Sequence, residues 1–211
     1  MRLGPGLALA LVLLTSPALA IDWLVFVIDR SGSIDAVEYA LQRNAYVRLL
    51  ADADALDALG GAMVAIVEFD TRPEVMVEWS EPEAAGVAYA AAPLALERAQ
   101  TGIGRALERA LALLDGKPGR RVIDISGDGR ENVDSLQLMR VREQAIERDI
   151  EINGLAILNS RVPTLERYYA SRVATGFVIT VAESDDFYLA LKRKFLLEVA
   201  GLRPGAPLSR R

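Results

Sequence analysis

Apolar residues recur along this chain with two different periods, and the switches between them mark out its elements. Residues 23–28, Trp-Leu-Val-Phe-Val-Ile, form an unbroken apolar run rich in β-branched and aromatic side chains, which predicts a strand covered on both faces. The run ends in the polar turn Asp29-Arg30-Ser31-Gly32-Ser33. Beyond it Val37, Leu41, Ala45, Val47, Leu49 and Leu50 recur at helical spacing, so a helix begins near Asp35, capped by Ser33 or Asp35. Gly60-Gly61 breaks the pattern before a second apolar strand at 62–69, and 74–79 alternates as a half-exposed strand beside it, the expected antiparallel edge. Helices at 82–96 and 103–114, a strand at 121–126 and a helix at 136–148 follow. The series closes with a strand at 150–158, a helix at 164–173, a strand at 177–181 and a helix at 185–199. Strands and helices in alternation imply right-handed crossovers. The fold class is therefore α/β: a doubly wound, mostly parallel central sheet with one antiparallel edge strand and helices on both faces.

The two ends break this rhythm. Residues 1–20 begin with the lone positive side chain of Arg2, run through an apolar stretch at 7–14 and finish Ser16-Pro17-Ala18-Leu19-Ala20, the pattern of a signal peptide cleaved after Ala20. The apolar stretch is shorter than the roughly 20 residues that cross a bilayer. The expectation is an exported protein, periplasmic or extracellular, without stable membrane insertion. A single domain is expected over 21–200. The tail at 201–211, with two prolines and a terminal Arg-Arg, has no periodicity and is expected to be disordered.

Composition narrows the chemistry. The 211 residues include no histidine and no cysteine, which excludes a Ser-His-Asp triad, a thiol nucleophile, a disulfide and any imidazole or thiolate metal site. A net charge of −5 lacks the basic face of a nucleic-acid binder. Any metal held here is a hard one.

In a doubly wound sheet, ligands bind at the carboxyl ends of the strands, where strand order reverses. Three loops at such positions are rich in oxygen. The first offers Asp29, Ser31 and Ser33, the second Thr101 at a helix start in Thr101-Gly102-Ile103-Gly104, and the third Asp128 in Gly127-Asp128-Gly129. Two carboxylates and three hydroxyls suit Mg2+, which takes oxygen ligands and retains water. Two carboxylates only neutralise a dication, so an open position would accept one more anionic oxygen, such as an Asp or Glu of a protein partner.

These residues resemble the von Willebrand factor A domain and its metal-ion-dependent adhesion site (MIDAS), and the match covers essentially all of the chain after residue 20. The resemblance implies that Asp29, Ser31, Ser33, Thr101 and Asp128 hold Mg2+, with Mn2+ or Ca2+ as alternatives, and that a partner's acidic side chain completes the shell. The wording Arg121-Val122-Ile123-Asp124-Ile125-Ser126-Gly127-Asp128-Gly129, the strand at 152–159 and the closing 192–198 segment resemble a branch of short secreted bacterial proteins of this fold, a domain of unknown function. Two departures stand out. Gly127 precedes Asp128 where the family's usual Thr-Asp-Gly has none, so the carboxylate is expected to shift. Asp70 adds charge after the second strand, where many relatives carry Ser or Thr.

Blander readings compete at each position. Ser and Asp after a strand commonly cap helices, as would Thr101, and Asp124, alternating with Ser126, faces either side of the sheet. Arg30, Arg130, Glu131 and Asn132 lie in rim loops, either touching a partner or simply solvated. Tyr168, Tyr169 and Tyr188 are expected to pack helices on the sheet, and Lys192-Arg193-Lys194 to form a solvated helix face. Three functions remain: a non-enzymatic, metal-dependent binding module; a metal-assisted phosphohydrolase using Asp29; and a scaffold domain whose site has no occupant.

Overall fold

A computed structural model describes residues 20–94, 96, 99–159, 162–182 and 186–204. The expected signal peptide, apart from Ala20, and the tail beyond Pro204 lie outside the described residues. Among the described residues six strands form one sheet in the order β3-β2-β1-β4-β5-β6. They are β1 (Trp23–Asp29), β2 (Met63–Phe69), β3 (Pro73–Ser80), β4 (Arg121–Gly127), β5 (Ile150–Leu158) and β6 (Val178–Ala182). Among the described residues only β2 and β3 pair antiparallel, with β3 at the edge. Because β1 leads outward to β2 while β4 sits on its other flank, strand order reverses between β1 and β4. The doubly wound architecture inferred from the hydrophobic pattern is the one observed.

Strand alternation divides the interior into two layers. Leu24, Phe26 and Ile28 of β1 face α1 (Ala36–Leu49), α2 (Ala53–Leu59), α3 (Pro82–Ala91) and α7 (Phe187–Val199), where Tyr46, Leu49, Tyr89 and Phe195 cover them. Val25 and Val27 face α4 (Ile103–Leu113), α5 (Ser135–Glu147) and α6 (Leu165–Tyr168) with its continuation, a π-helical turn at Tyr169–Val173. Asp29 continues the second set, and Asp124, Ser126 and Asp128 of β4 and its loop alternate with Ile123, Ile125 and Gly127, which lie on Asp29's side. Among the described residues, no helix is long and apolar enough to cross a membrane.

Several expectations are corrected. Helix α3 ends at Ala91, not 96, because Pro93 cannot donate a backbone hydrogen bond. The short α2, capped by the Asp52 side chain on the Ala55 N–H, has no periodic signature in sequence. Asp35 is the cap of α1, in a reciprocal capping box with Glu38. The Lys192-Arg193-Lys194 run is not a solvated face. Leu191, Lys194, Phe195 and Glu198 share the inward side of α7, so Lys194 is fully buried, with its Nζ 2.6 Å from Asp124 and 2.7 Å from Glu198. Lys192 bridges to Asp52 and Asp54 of the α2 segment, and of the three only Arg193 is exposed.

A candidate metal centre at the strand switch

The three oxygen-rich loops meet where strand order reverses. Asp29 ends β1, and the loop after it is pinned by backbone bonds from Arg30 N to Phe69 O (2.8 Å) and from Gly32 N to Ala99 O (2.9 Å). The Thr101 loop is tied to the β2 loop by Gly102 N donating to Asp70 O (2.9 Å). Asn132 clamps Thr101 from the third loop. Its side-chain oxygen accepts from Thr101 N (2.8 Å), and its own N–H donates to Thr101 O (3.1 Å).

Within this frame four of the five side chains form one chain of contacts, and Asp29 joins it through the Ser31 backbone N–H. Asp29 Oδ1 accepts from the Ser31 N–H at 2.8 Å. Thr101 Oγ1 donates to Ser31 Oγ at 2.9 Å, Ser31 Oγ lies 3.4 Å from Ser33 Oγ, and Ser33 Oγ donates to Asp128 Oδ1 at 2.5 Å. Neither Ser33 nor Thr101 caps a helix with its side chain. The extra glycine does not draw Asp128 away. Gly127 is instead required by close approach, since a Cβ there would lie 2.7 Å from Asp29 Oδ2 and 2.6 Å from the Tyr169 hydroxyl. A Cβ on Gly129 would come within 2.9 Å of Thr101 Oγ1.

The electrostatics centre on Asp29. Its side chain is fully buried, and Oδ2 has no hydrogen-bond partner. Burial, offset in part by the Ser31 N–H, pushes its carboxyl up to about 7, and the charges of Asp128 and Asp70 push the same way. The adjacent Arg30 gives no direct relief. Its guanidinium turns to Glu74 (2.9 Å), Glu68 (3.5 Å) and Asp70 (3.7 Å). Asp70 therefore adds its charge to an Arg30-centred network beside the site, and Asp124 lies on the opposite side of the sheet with Lys194.

The remaining rim residues divide. Glu131 accepts from Gly104 N (2.7 Å), Val133 N (2.7 Å) and Asp134 N (2.9 Å), so with Asn132 it braces loops from within. Arg130 is exposed, over the Tyr168 ring and bonded to the Thr164 hydroxyl. Tyr169 and Tyr188 are buried as packing residues, whereas Tyr168 is half-buried and its hydroxyl accepts from Glu131 N. One positioning residue was missed by sequence reasoning: Asn159, at the end of β5, donates from Nδ2 to Asp128 Oδ2 (3.0 Å) and to Asp128 O (3.1 Å). Its only signal in sequence was a polar residue closing an apolar strand.

The donor set fits a hard cation. Among the described residues, no three Asp or Glu side chains gather to hold a metal, so two carboxylates with three hydroxyls are what this site offers. The bare, buried Asp29 Oδ2 is the atom such an ion would satisfy.

A family profile described as a protein of unknown function (DUF1194) matches residues 21–203. The chain belongs to this family. No curated protein matches the DUF1194 chain by sequence. Its fold is that of the von Willebrand factor A domain, as solved structures attest. A von Willebrand factor type A protein from Catenulispora acidiphila superposes with a TM-score of 0.61 at 18% identity, over 86% of this chain and 42% of that one. Proximal thread matrix protein 1 from the mussel byssus, in a structure with a zinc-occupied MIDAS motif, gives 0.65 at 19% identity, over 86% and 46%. BatB from Bacteroides thetaiotaomicron gives 0.63 at 15% identity, over 85% and 98%. The DUF1194 chain thus spans less than half the length of the first two and nearly all of BatB.

Proposed function

We propose that this chain is an exported, non-enzymatic binding module that holds a divalent cation, Mg2+ first and Mn2+ or Ca2+ as alternatives, and recognises an acidic side chain of a protein partner. The observation that carries the proposal is the Asp29 carboxylate, buried at the strand switch with one oxygen bare and the other on the Ser31 N–H, beside a run of hydroxyl and carboxylate oxygens from Thr101 through Ser31 and Ser33 to Asp128. Such an ion supplies a Lewis-acidic centre that binds carboxylate oxygen. Asp29 and Asp128 neutralise its charge, and Ser31, Ser33 and Thr101 offer neutral oxygens whose protons already point along the hydrogen-bond chain. Asn159 holds Asp128 in one orientation, and Asn132 fixes Thr101. A mussel byssus protein of the same fold with a zinc-occupied motif lends support to cation binding.

The burial of Asp29 counts against the phosphohydrolase alternative. A nucleophile must reach the phosphorus in line, and Asp29 is fully enclosed with one oxygen held on the Ser31 N–H. The scaffold alternative makes no use of an ionisable group kept in so unfavourable a place. Acetate, standing in for a partner's side chain, tests the reading: calorimetry should register its binding in saturating Mg2+ and none in chelator. Acetate binding that ignores the metal would overturn it.

A further inference from the structure

Tyr169 carries a hydroxyl that its packing does not need. The residue opens the π-helical turn at Tyr169–Val173, and its ring is fully buried against Gly154 of β5, where an added Cβ would lie 3.0 Å from the ring. A phenylalanine would fill this space as well. The Tyr169 hydroxyl has no hydrogen-bond partner, and a buried polar group left bare costs stability.

The surroundings of that hydroxyl give it a use. It lies 2.6 Å from the position that a Cβ on Gly127 would occupy, and Asp29 Oδ2 lies 2.7 Å from the same position. Two fully buried side chains, one from β1 and one from the π-helical turn, thus aim unpartnered oxygens at a single gap, which Gly127 keeps open by having no side chain. The two oxygens make no hydrogen bond to each other, so whatever satisfies both must come between them. A cation alone would satisfy only the carboxylate. A neutral phenol oxygen is a poor ligand for a hard dication, but it accepts well from water that such an ion polarises.

We infer that Tyr169 is a positioning residue of the cation site: with the ion on Asp29 Oδ2, the phenol oxygen accepts from a water of the ion's shell held over Gly127. The inference rests on the cation reading proposed above and sharpens its choice of ion. Mg2+ keeps several waters in a fixed octahedron, whereas Ca2+ takes more ligands in a looser shell. A fixed acceptor for one water therefore favours Mg2+ over Ca2+.

Tyr169→Phe keeps the ring and removes only the hydroxyl. In chelator the variant should melt no lower than wild type, because no contact within the chain is lost. Calorimetry should show Mg2+ binding weakened about tenfold or more, as for the loss of a group that orients a metal's ligands. Ca2+ binding should weaken much less, so the preference between the two ions shifts toward Ca2+. Mg2+ should also produce a tyrosine signal in the ultraviolet difference spectrum of wild type that Tyr169→Phe lacks, a change that a purely structural hydroxyl would not give. A variant that binds Mg2+ as wild type does, that loses both ions equally, or that reproduces the difference spectrum overturns the role given to the hydroxyl while leaving the cation reading in place. A variant that melts lower in chelator assigns the hydroxyl to the fold and overturns that role too. Wild-type protein that binds neither ion overturns the cation reading, and the inference about Tyr169 falls with it.

Discussion

Two fully buried aspartates on adjacent strands face opposite layers of the sheet, and they are treated differently. Asp124, on β4, meets a cation that the chain supplies: Lys194 of α7 lies 2.6 Å away and also reaches Glu198 at 2.7 Å. Burial works against the Lys194 charge, but the two carboxylates outweigh it and hold the ammonium above its ordinary pKa. Burial and the neighbouring Asp124 charge keep Glu198 well above the usual carboxylate range, so this group is inclined to hold its proton. Asp29, on β1, has a backbone N–H on one oxygen and nothing on the other. A buried carboxylate without a cation is costly. The contrast teaches that the α7 layer is closed by a structural ion pair, whereas the strand switch buries a carboxylate without one, the feature on which the proposed cation site rests.

Breaking the closed side should have the largest effect. Lys194→Met leaves Asp124 facing Glu198 without the ammonium between them, and a loss of about 3–5 kcal/mol is expected from urea unfolding, as for a buried pair deprived of one partner. A loss below about 1 kcal/mol would mean that the pair is not the anchor of α7. Removing Glu198 and Asp124 together with Lys194, by apolar residues of similar volume, should restore much of that stability.

Crowding the open side should cost less and should also reach the metal. Gly127→Ala places a methyl group against Asp29 Oδ2 and the Tyr169 hydroxyl, and a loss of about 1–3 kcal/mol is expected for an overpacked site. Thermal melts with and without Mg2+ separate the two consequences, because the variant should also lose most of the Mg2+-induced rise in Tm. An unaltered rise would show that Asp29 Oδ2 is not where the cation sits.

The smallest effect concerns a second, half-buried ion pair made by the same helix. Asp52 accepts from the Tyr188 hydroxyl (2.6 Å) and meets Lys192 at 2.8 Å, joining α7 to α2. Lys192 and then Tyr188 hold its carboxyl down at about 2 against an ordinary 3.8. Its stabilisation is therefore complete above pH 4 and fades as pH falls from there toward 2. Asp52→Asn should lower Tm slightly at neutral pH and flatten the dependence on pH across that acid window. A mutant whose acid profile matches wild type would show that solvent screens the contact entirely.

Legibility in the sequence followed what periodicity can and cannot carry. The sheet, its edge strand and two of the oxygen-rich loops were readable because apolar runs end abruptly in Asp29 and Gly127-Asp128, and the third because Thr101-Gly102-Ile103-Gly104 opens a helix. Lys194 was not readable, because a Lys-Arg-Lys run looks solvated until α7 is set against a strand whose acidic partner lies 70 positions away. Asp124 shares that ambiguity, since strand alternation gives two sides without saying which layer carries a cation. Glu131, Asn132 and Asn159 looked like ordinary loop polarity; their roles depend on backbone groups brought close only by folding.

The central claim is that the strand switch takes a cation through Asp29, and calorimetric titration of Mg2+ and Mn2+ into the wild-type protein and Asp29→Asn tests it most directly. The substitution keeps the acceptor for the Ser31 N–H and removes the charge, so the variant should fold, melt no lower than wild type in chelator, and bind neither ion. Wild type should bind one ion per chain, and at a hundredfold excess over Kd its stability should rise by about 2.7 kcal/mol. Equal binding by the two proteins, or binding by neither, would contradict the account.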